Sequence, residues 1–411
     1  MKKTIVSAAA SVLLAVAMCL SFCSCAVPVN ANEISSDYSR RVGAAGNACE
    51  SFYAPLSDFS FALLGRALDA DGGNTLVSPF SVAMCLGMLA NGTGGETRAQ
   101  LEAMFGTDTD TLNKSMCTLY DRLCGDAFRS ANSMWLREGL SVKPDFLQTN
   151  ADYYGADVFS TVFDEAAIRD INRWTEKKTG GMIKELIERL DPETFAVLVN
   201  AVCFESEWMS EYSMNDISDG VFRNHDGSES KVKMLSSAEY GYIASRGFEG
   251  FAKEYKPADG GAEFSFVGLI PKDDRVDIFD FVRSLDGAAW SEAWGARGEK
   301  ADVKIPEFGF DYSLELNDAL KAMGVTDIFD YEKADFSGIA DMKMACSRVI
   351  HKTHIEVDRS GTRAAAATAA VVDGISEGPT RRVVLDRPFV FMIVDNASGI
   401  PLFAGVVTNI K

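Results

Sequence analysis

The run FAVLVNAVCFES at 195–206 constrains the fold more than any other stretch of the chain. From Phe195 to Phe204 every residue except Asn200 is apolar. A half-exposed strand would alternate, and a surface helix would show one apolar stripe. A short continuous run instead predicts a strand at the centre of a sheet, covered on both faces. The chain must therefore supply a layer on each side of that strand.

Other segments provide those layers. Helical apolar spacing occurs at 57–69 (SDFSFALLGRALD), 78–92 (SPFSVAMCLGMLANG), 112–123 (LNKSMCTLYDRL) and 168–181 (IRDINRWTEKKTGG, closed by paired glycines). Thr93-Gly-Gly-Glu96 has the spacing of a capping box ahead of TRAQLEAMF. Residues 130–140 predict a strand and turn, 240–271 short strands between glycine turns, and 301–313 and 343–358 strands flanking a helix at 314–324. PFVFMIVD (388–395), NASG and IPLFAGVVTNI (400–410) predict a terminal hairpin. Helices dominate the first half and strands the second, which predicts an α+β fold with helices grouped around large antiparallel or mixed sheets.

The formal charge is −19 at pH 7, which disfavours nucleic acid and anionic membrane surfaces as partners. MKK followed by an apolar run at 5–22 reads as an export signal over residues 1–31, with Val29-Asn30-Ala31 as a cleavage site. Lipid attachment at Cys25 or Cys23 is the alternative, giving a secreted or cell-surface protein either way. Residues 32–49 are polar and small, which predicts a flexible spacer before a single domain at 50–411. Cys85, Cys203 and Cys346 sit in apolar runs as buried hydrophobes. Cys117 and Cys124, about 10 Å apart along a helix, are too distant to bridge.

Enzyme motifs fare poorly. Lys178-Thr179-Gly180 and Ser228-Glu-Ser-Lys231 match the K-T-G and S-x-x-K of penicillin-binding proteins, but in reversed order and with K-T-G ending a helix. His351 and His354 are three apart on a strand, so they face opposite ways and make a poor chelate. No cofactor is expected.

Residues 361–378, GTRAAAATAAVVDGISEG, pose the remaining question. Six alanines favour helix, yet the segment lacks an amphipathic stripe and ends in loop residues. Five ordered segments supply an answer, because together they resemble the serpin family. NTLVSPFSVAMCLGMLANGTGGETRAQL (74–101) is similar to its second-helix motif, and INRWTEKKTGGMIKELI (171–187) to its helix-to-strand passage. LVNAVCFESEW (198–208) resembles the third strand of its main sheet, VIHKTHIEVDRSGTRAAAAT (349–368) its fifth strand and loop hinge, and DRPFVFMIVDNASGIPLFAGVVTN (386–409) its C-terminal hairpin.

The resemblance implies three β-sheets and an exposed reactive-centre loop at about 359–382. It implies a monomer that traps a target serine protease covalently while the cleaved loop enters the main sheet. Gly361, Thr362, Ala364, Ala365, Ala366, Ala367 and Thr368 then form the hinge: small residues that slip between two strands, with no proline to remove a donor. Period-2 alternation groups Thr362, Ala364, Ala366, Thr368 and Ala370 on one face, leaving open which face turns inward. Counting from Gly361 puts the reactive bond at Ile375–Ser376, suited to elastase-like or subtilisin-like pockets, whereas counting back from Pro388 moves it one or two residues later, to Ser376 or Glu377. Ser78, Ser81, Asn200 and His351 match the polar cluster beneath the opening strands, and Trp208 the tryptophan where the loop enters. Arg359 and Arg363 stand where the family usually has acidic residues, and Glu205-Ser206 replace a Lys-Gly pair. A non-inhibitory carrier or chaperone of the same fold is the alternative reading, although such members commonly carry bulky, charged or proline residues in the hinge.

Overall fold

A computed structural model describes residues 29–43, 50–68, 72–191, 194–362 and 381–411. The chain divides into Met1–Asn30 and Ala31–Lys411. Of the first unit only residues 29–30 are described, and the architecture is that of the second. The apolar part of the export signal, with Cys23 and Cys25, lies outside the described residues, as do Arg363, Ala364–Thr368, Ile375 and Ser376.

In chain order the strands are β1 (Asn32–Glu33), β2 (Thr75–Val77), β3 (Phe128–Arg137), β4 (Asp157–Thr161), β5 (Ala196–Phe204), β6 (Ser206–Glu207), β7 (Ile217–Arg223) and β8 (Glu229–Ala244). They continue as β9 (Phe248–Glu254), β10 (Phe264–Pro271), β11 (Glu299–Pro306), β12 (Phe308–Glu315), β13 (Arg348–Val357), β14 (Gly361–Thr362), β15 (Arg381–Val384), β16 (Phe389–Asp395) and β17 (Pro401–Val407). The helices that frame the site are α1 (Tyr53–Ala67), α2 (Pro79–Ala90), α3 (Gly95–Phe105), α4 (Thr109–Leu123), α5 (Pro144–Tyr154) and α6 (Glu165–Lys178).

Among the described residues, hydrogen bonding joins the strands into two sheets. The first runs β1-β4-β3-β5-β13-β14-β6 with β12 on β13; the second runs β15-β11-β8-β9-β10-β16-β17-β2 with β7 on β8. Of the three sheets expected, two are continuous with each other because the 16-residue β8 pairs with β7, β11 and β9 in turn. Every residue of β5 is buried, as its apolar run requires. So is every residue of α2, which packs against β3 and β5 on one side and β17 on the other. An element apolar all round belongs between two sheets.

Several local expectations need correction. No side chain caps α3: Gly94 is its N-cap, and Thr93 instead donates to Ala90 O at 2.8 Å. Asp335 crowds this corner, and a Cβ on Gly94 would come within 2.6 Å of its carboxylate. Residues 301–313 are not one strand. Glu307 separates β11, in the second sheet, from β12, in the first. The helix expected at 314–324 is only Asn317–Ala322, because Leu314 and Glu315 still pair with His351 and Ile350.

The spacer at 32–49 is in part bound chain. Asn32 and Glu33 pair with Ser160 and Phe159, extending the first sheet, and Ser35 Oγ accepts from Val158 N at 2.8 Å. Arg40 pairs with Asp121, and Arg41 N donates to Asp152 at 2.7 Å. The polar residues that suggested a solvated linker here make tertiary bonds to acidic groups on α4 and α5.

Candidate functional site

β5 and β13 run parallel and are bonded over five rows, Arg348–Lys352 opposite Val197–Ala201. Above those rows the two strands part. β14 sits between them at the top, with Thr362 opposite Val357 of β13 and opposite Ser206 of β6, and Gly361 opposite Glu207. Between the wedge and the closed rows lie residues 202–205 and 353–356, which among the described residues have no strand partner on their facing edges. The sheet is thus split down its middle, with the start of the hinge already seated in the split.

Gly361 is the residue this seat demands. A Cβ there would lie 2.1 Å from Ser206 O and 2.8 Å from Glu207 Cα, which no side chain tolerates. Asp358 shapes the turn into the hinge, its Oδ1 accepting from Ser360 N at 2.7 Å and Gly361 N at 3.1 Å. Thr362 is buried, and its hydroxyl meets the phenolic oxygen of Tyr255 at 2.5 Å. Burial pushes the Tyr255 phenol well up, so it stays protonated and able to donate.

Trp208 closes the top of the split. It is fully buried, donates from Nε1 to Asp358 O at 2.9 Å, and bonds Ser360 O through its own N–H at 2.9 Å. Its ring stacks on Tyr255 at 4.6 Å, and the Lys253 ammonium lies 5.4 Å from its centre. Lys253 is itself buried and paired to Glu239 at 2.8 Å. Arg359, standing where an acidic residue was expected, reaches Met214 Sδ at 3.5 Å, while Lys256 holds Glu207 and Glu211 nearby.

The polar cluster crosses the closed rows. His351 Nε2 accepts from Ser78 N at 2.9 Å, so its proton sits on Nδ1, which faces Asn200 Oδ1 at 2.7 Å. Burial alone drives its pKa down to about 3, so the ring is neutral at any ordinary pH. Asn200 Nδ2 donates to Ser81 O at 2.9 Å, to Ser81 Oγ and to Asn132 Oδ1 at 2.7 Å. Ser81 Oγ lies 2.8 Å from Ser130 Oγ, and Ser78 Oγ donates to Leu402 O at 2.7 Å. Ser78, Ser81, Asn200 and His351 are therefore brought together, and His354 faces the other way onto Asp311 at 2.8 Å.

Sequence reasoning missed Tyr255, Asn132 and Ser130. Tyr255 sits in a polar connection with no pattern to mark it; Asn132 and Ser130, polar on alternate positions of a buried strand, carried a readable signal. The penicillin-binding matches come to nothing. Ser228 Oγ donates to Asp226 at 2.6 Å in a hairpin turn, and Lys178 is paired with Asp157 at 2.7 Å.

The central sheet is thus split between parallel strands, with Gly361 and Thr362 wedged at its open end. The sequence profile described as serpin (serine protease inhibitor) matches residues 54–410, and the chain belongs to that family. Leukocyte elastase inhibitor of Homo sapiens is 30% identical over 354 residues, covering 81% of this chain and 92% of the relative. A serpin-like protein of Thermococcus kodakarensis is 29% identical over 370 residues, covering 87% and 85%. The thermophilic serpin tengpin in its native state superposes with a TM-score of 0.86 at 33% identity, over 92% of this chain and all of that one. In its latent state the same protein gives 0.75 at 31% identity, over 91% of this chain and all of that one.

Proposed function

We propose that this serpin inhibits serine proteases as a suicide substrate, with the segment after Thr362 entering the split between β5 and β13 once it is cut. The observation that carries this is a coincidence of register. β14 is antiparallel to both neighbours, so each further loop residue steps back one place on each strand. Six residues beyond Thr362, Thr368 falls opposite His351 on one side and Asn200 on the other. Those two residues are the ones already paired across the closed rows. The inserting strand can thus replace the β5–β13 pairing without any slip.

Energetics favour the move. Roughly a dozen inserting residues make about as many net ladder bonds at about 0.5–1.5 kcal/mol each. The five broken rows are remade with the new strand. The release is on the order of 10 kcal/mol, comparable with the stability of a domain. A protease still acylated to the new chain end is carried away with the strand and distorted before water releases it.

We assign the reactive bond to Ile375–Ser376 and the target to elastase-like or subtilisin-like enzymes, which accept an apolar residue before the bond. Cleavage after Arg381 or Arg382 would lengthen the inserting strand by about six residues, and in this structure both residues belong to β15, paired with β11. The export signal read from residues 1–31 supports action outside the cell or at its surface. The test is to mix the protein with an elastase and, separately, with trypsin. An SDS-resistant complex with release of a Ser376–Lys411 peptide is expected with elastase. Complete cleavage without complex, for every enzyme tried, would leave a non-inhibitory serpin.

A further inference from the structure

The register that supports insertion also fixes where the cut end of the loop arrives. Counted on from Thr362 in the split, Asp373 falls opposite Cys346 on one side and Phe195 on the other. Ile375 follows two residues later, about 7 Å past that row at ~3.3 Å per residue. An enzyme acylated to Ile375 is thereby held against the end of the sheet where β5 and β13 begin. The side chains covering that end become its contact surface.

Exposed apolar side chains gather there. The half-buried Phe195 ring lies 5.8 Å from that of Tyr331, which is 45% exposed. Met342, 54% exposed, adjoins Lys343, whose ammonium lies 5.9 Å from the Tyr331 ring. On the other side, Arg137 N donates to Phe195 O and Glu138 N to Thr161 O, both at 2.9 Å, which brings Val162, 56% exposed, to the same edge. The charges that flank Met342 in the chain are matched, Asp341 by Lys143 at 2.6 Å and Lys343 by Glu332 at 2.7 Å. Single exposed apolar residues need no explanation, but a row of them along one edge marks a contact surface.

Insertion enlarges this surface. Phe195 N donates to Ser347 Oγ at 3.1 Å and Ser347 N to Ala196 O at 3.0 Å, so the strands are tied here too. By the same register Val372 must pass between Ala196 and Ser347. Opening by one strand spacing, about 4.8 Å, parts the Phe195 and Tyr331 rings. One ring follows β5, and the other follows the segment that Cys346 N ties to Ile328 O at 2.8 Å, just ahead of β13. The ring faces that now cover each other are freed as the enzyme arrives.

We propose that Val162, Phe195, Tyr331 and Met342 form an apolar platform on which the captured protease comes to rest, and that this contact helps to hold the enzyme in its distorted form. The inference rests on the suicide-substrate reading. The occupant is the acylated enzyme, because the chain from Thr362 to Ile375 ends at this edge.

The test is the lifetime of the trapped complex. Tyr331→Ser combined with Met342→Ser removes the exposed part of the platform and leaves the core intact. Complexes of parent and variant with elastase are isolated, and the protease activity regained on standing is followed. The variant is expected to unfold like the parent in urea and to form complex at the parent's stoichiometry, yet to release active enzyme at least about fivefold faster. Tyr331→Phe with Met342→Leu, which keeps the apolar area, should release at the parent's rate. Val221→Ser, which alters a comparably exposed residue on β7 in the second sheet, should not change it. Equal release from the serine variant, or the same acceleration in Val221→Ser, would overturn the proposal and leave trapping intact. Absence of any complex with the parent would overturn it together with the suicide-substrate reading.

Discussion

The Thr362 hydroxyl lies 2.5 Å from the phenolic oxygen of Tyr255, inside the protein and beneath the stacked ring of Trp208. The contact ties the second residue of β14 to the body and sets which way that short strand faces. Removing one partner leaves the other buried without a bond, at a cost of about 1–3 kcal/mol. Tyr255→Phe and Thr362→Val are each expected to lower the urea midpoint, and the double variant to lose less than their sum. Strict additivity in that cycle would mean the bond contributes nothing.

The same contact decides the parity of the loop. Thr362 points inward, so Ala364, Ala366, Thr368 and Ala370 follow it to the inner face in an inserted strand, and Ala365 and Ala367 point out. Ala366→Arg should convert the inhibitor largely to a substrate, raising the stoichiometry of inhibition several-fold, because a guanidinium would have to enter the core. Ala367→Arg should leave the stoichiometry near that of the parent. A reversed or uniform effect would refute the register.

Gly361→Val places a side chain where Ser206 O and Glu207 Cα already stand. The hinge must leave its seat, and overpacking of this kind costs roughly 1–3 kcal/mol. A lower urea midpoint and a higher yield of cleaved, uncomplexed protein are expected; parent-like behaviour in both would mean the seat is not needed.

His351 makes stability depend on pH in a defined direction. Its ring titrates at about 3 in the folded protein against about 6.5 unfolded. Below the unfolded value the unfolded chain binds the extra proton, so stability contributed by the neutral ring is complete above about pH 6.5 and declines as pH falls toward 3. The full effect is on the order of several kcal/mol. Unfolding midpoints measured from about pH 7 to about pH 4 should fall more steeply in the parent than in His351→Gln, and parallel curves would assign the acid sensitivity elsewhere.

Much of the arrangement was legible in the chain because side-chain periodicity encodes burial. The apolar run at 195–204 is the fully covered β5, and the odd spacing of His351 and His354 does send one inward and one outward. The same logic fails where partners are remote. No local pattern announces that Glu307 passes the chain from one sheet to the other, or that the polar residues 32–41 bind Asp121 and Asp152 instead of water.

What the sequence determined by itself is the order of elements, the buried centre of the sheet, and a run of small residues opening at Gly361. Tertiary structure alone decided where Gly361 and Thr362 sit and which face Thr362 shows. Gly361 is required by the backbone of Ser206 and Glu207, far upstream in the chain, and the inward turn of Thr362 by Tyr255, 107 positions away. Alternation along a strand fixes which residues share a face, but only the neighbour across the gap, brought in by folding, decides which face is the inside.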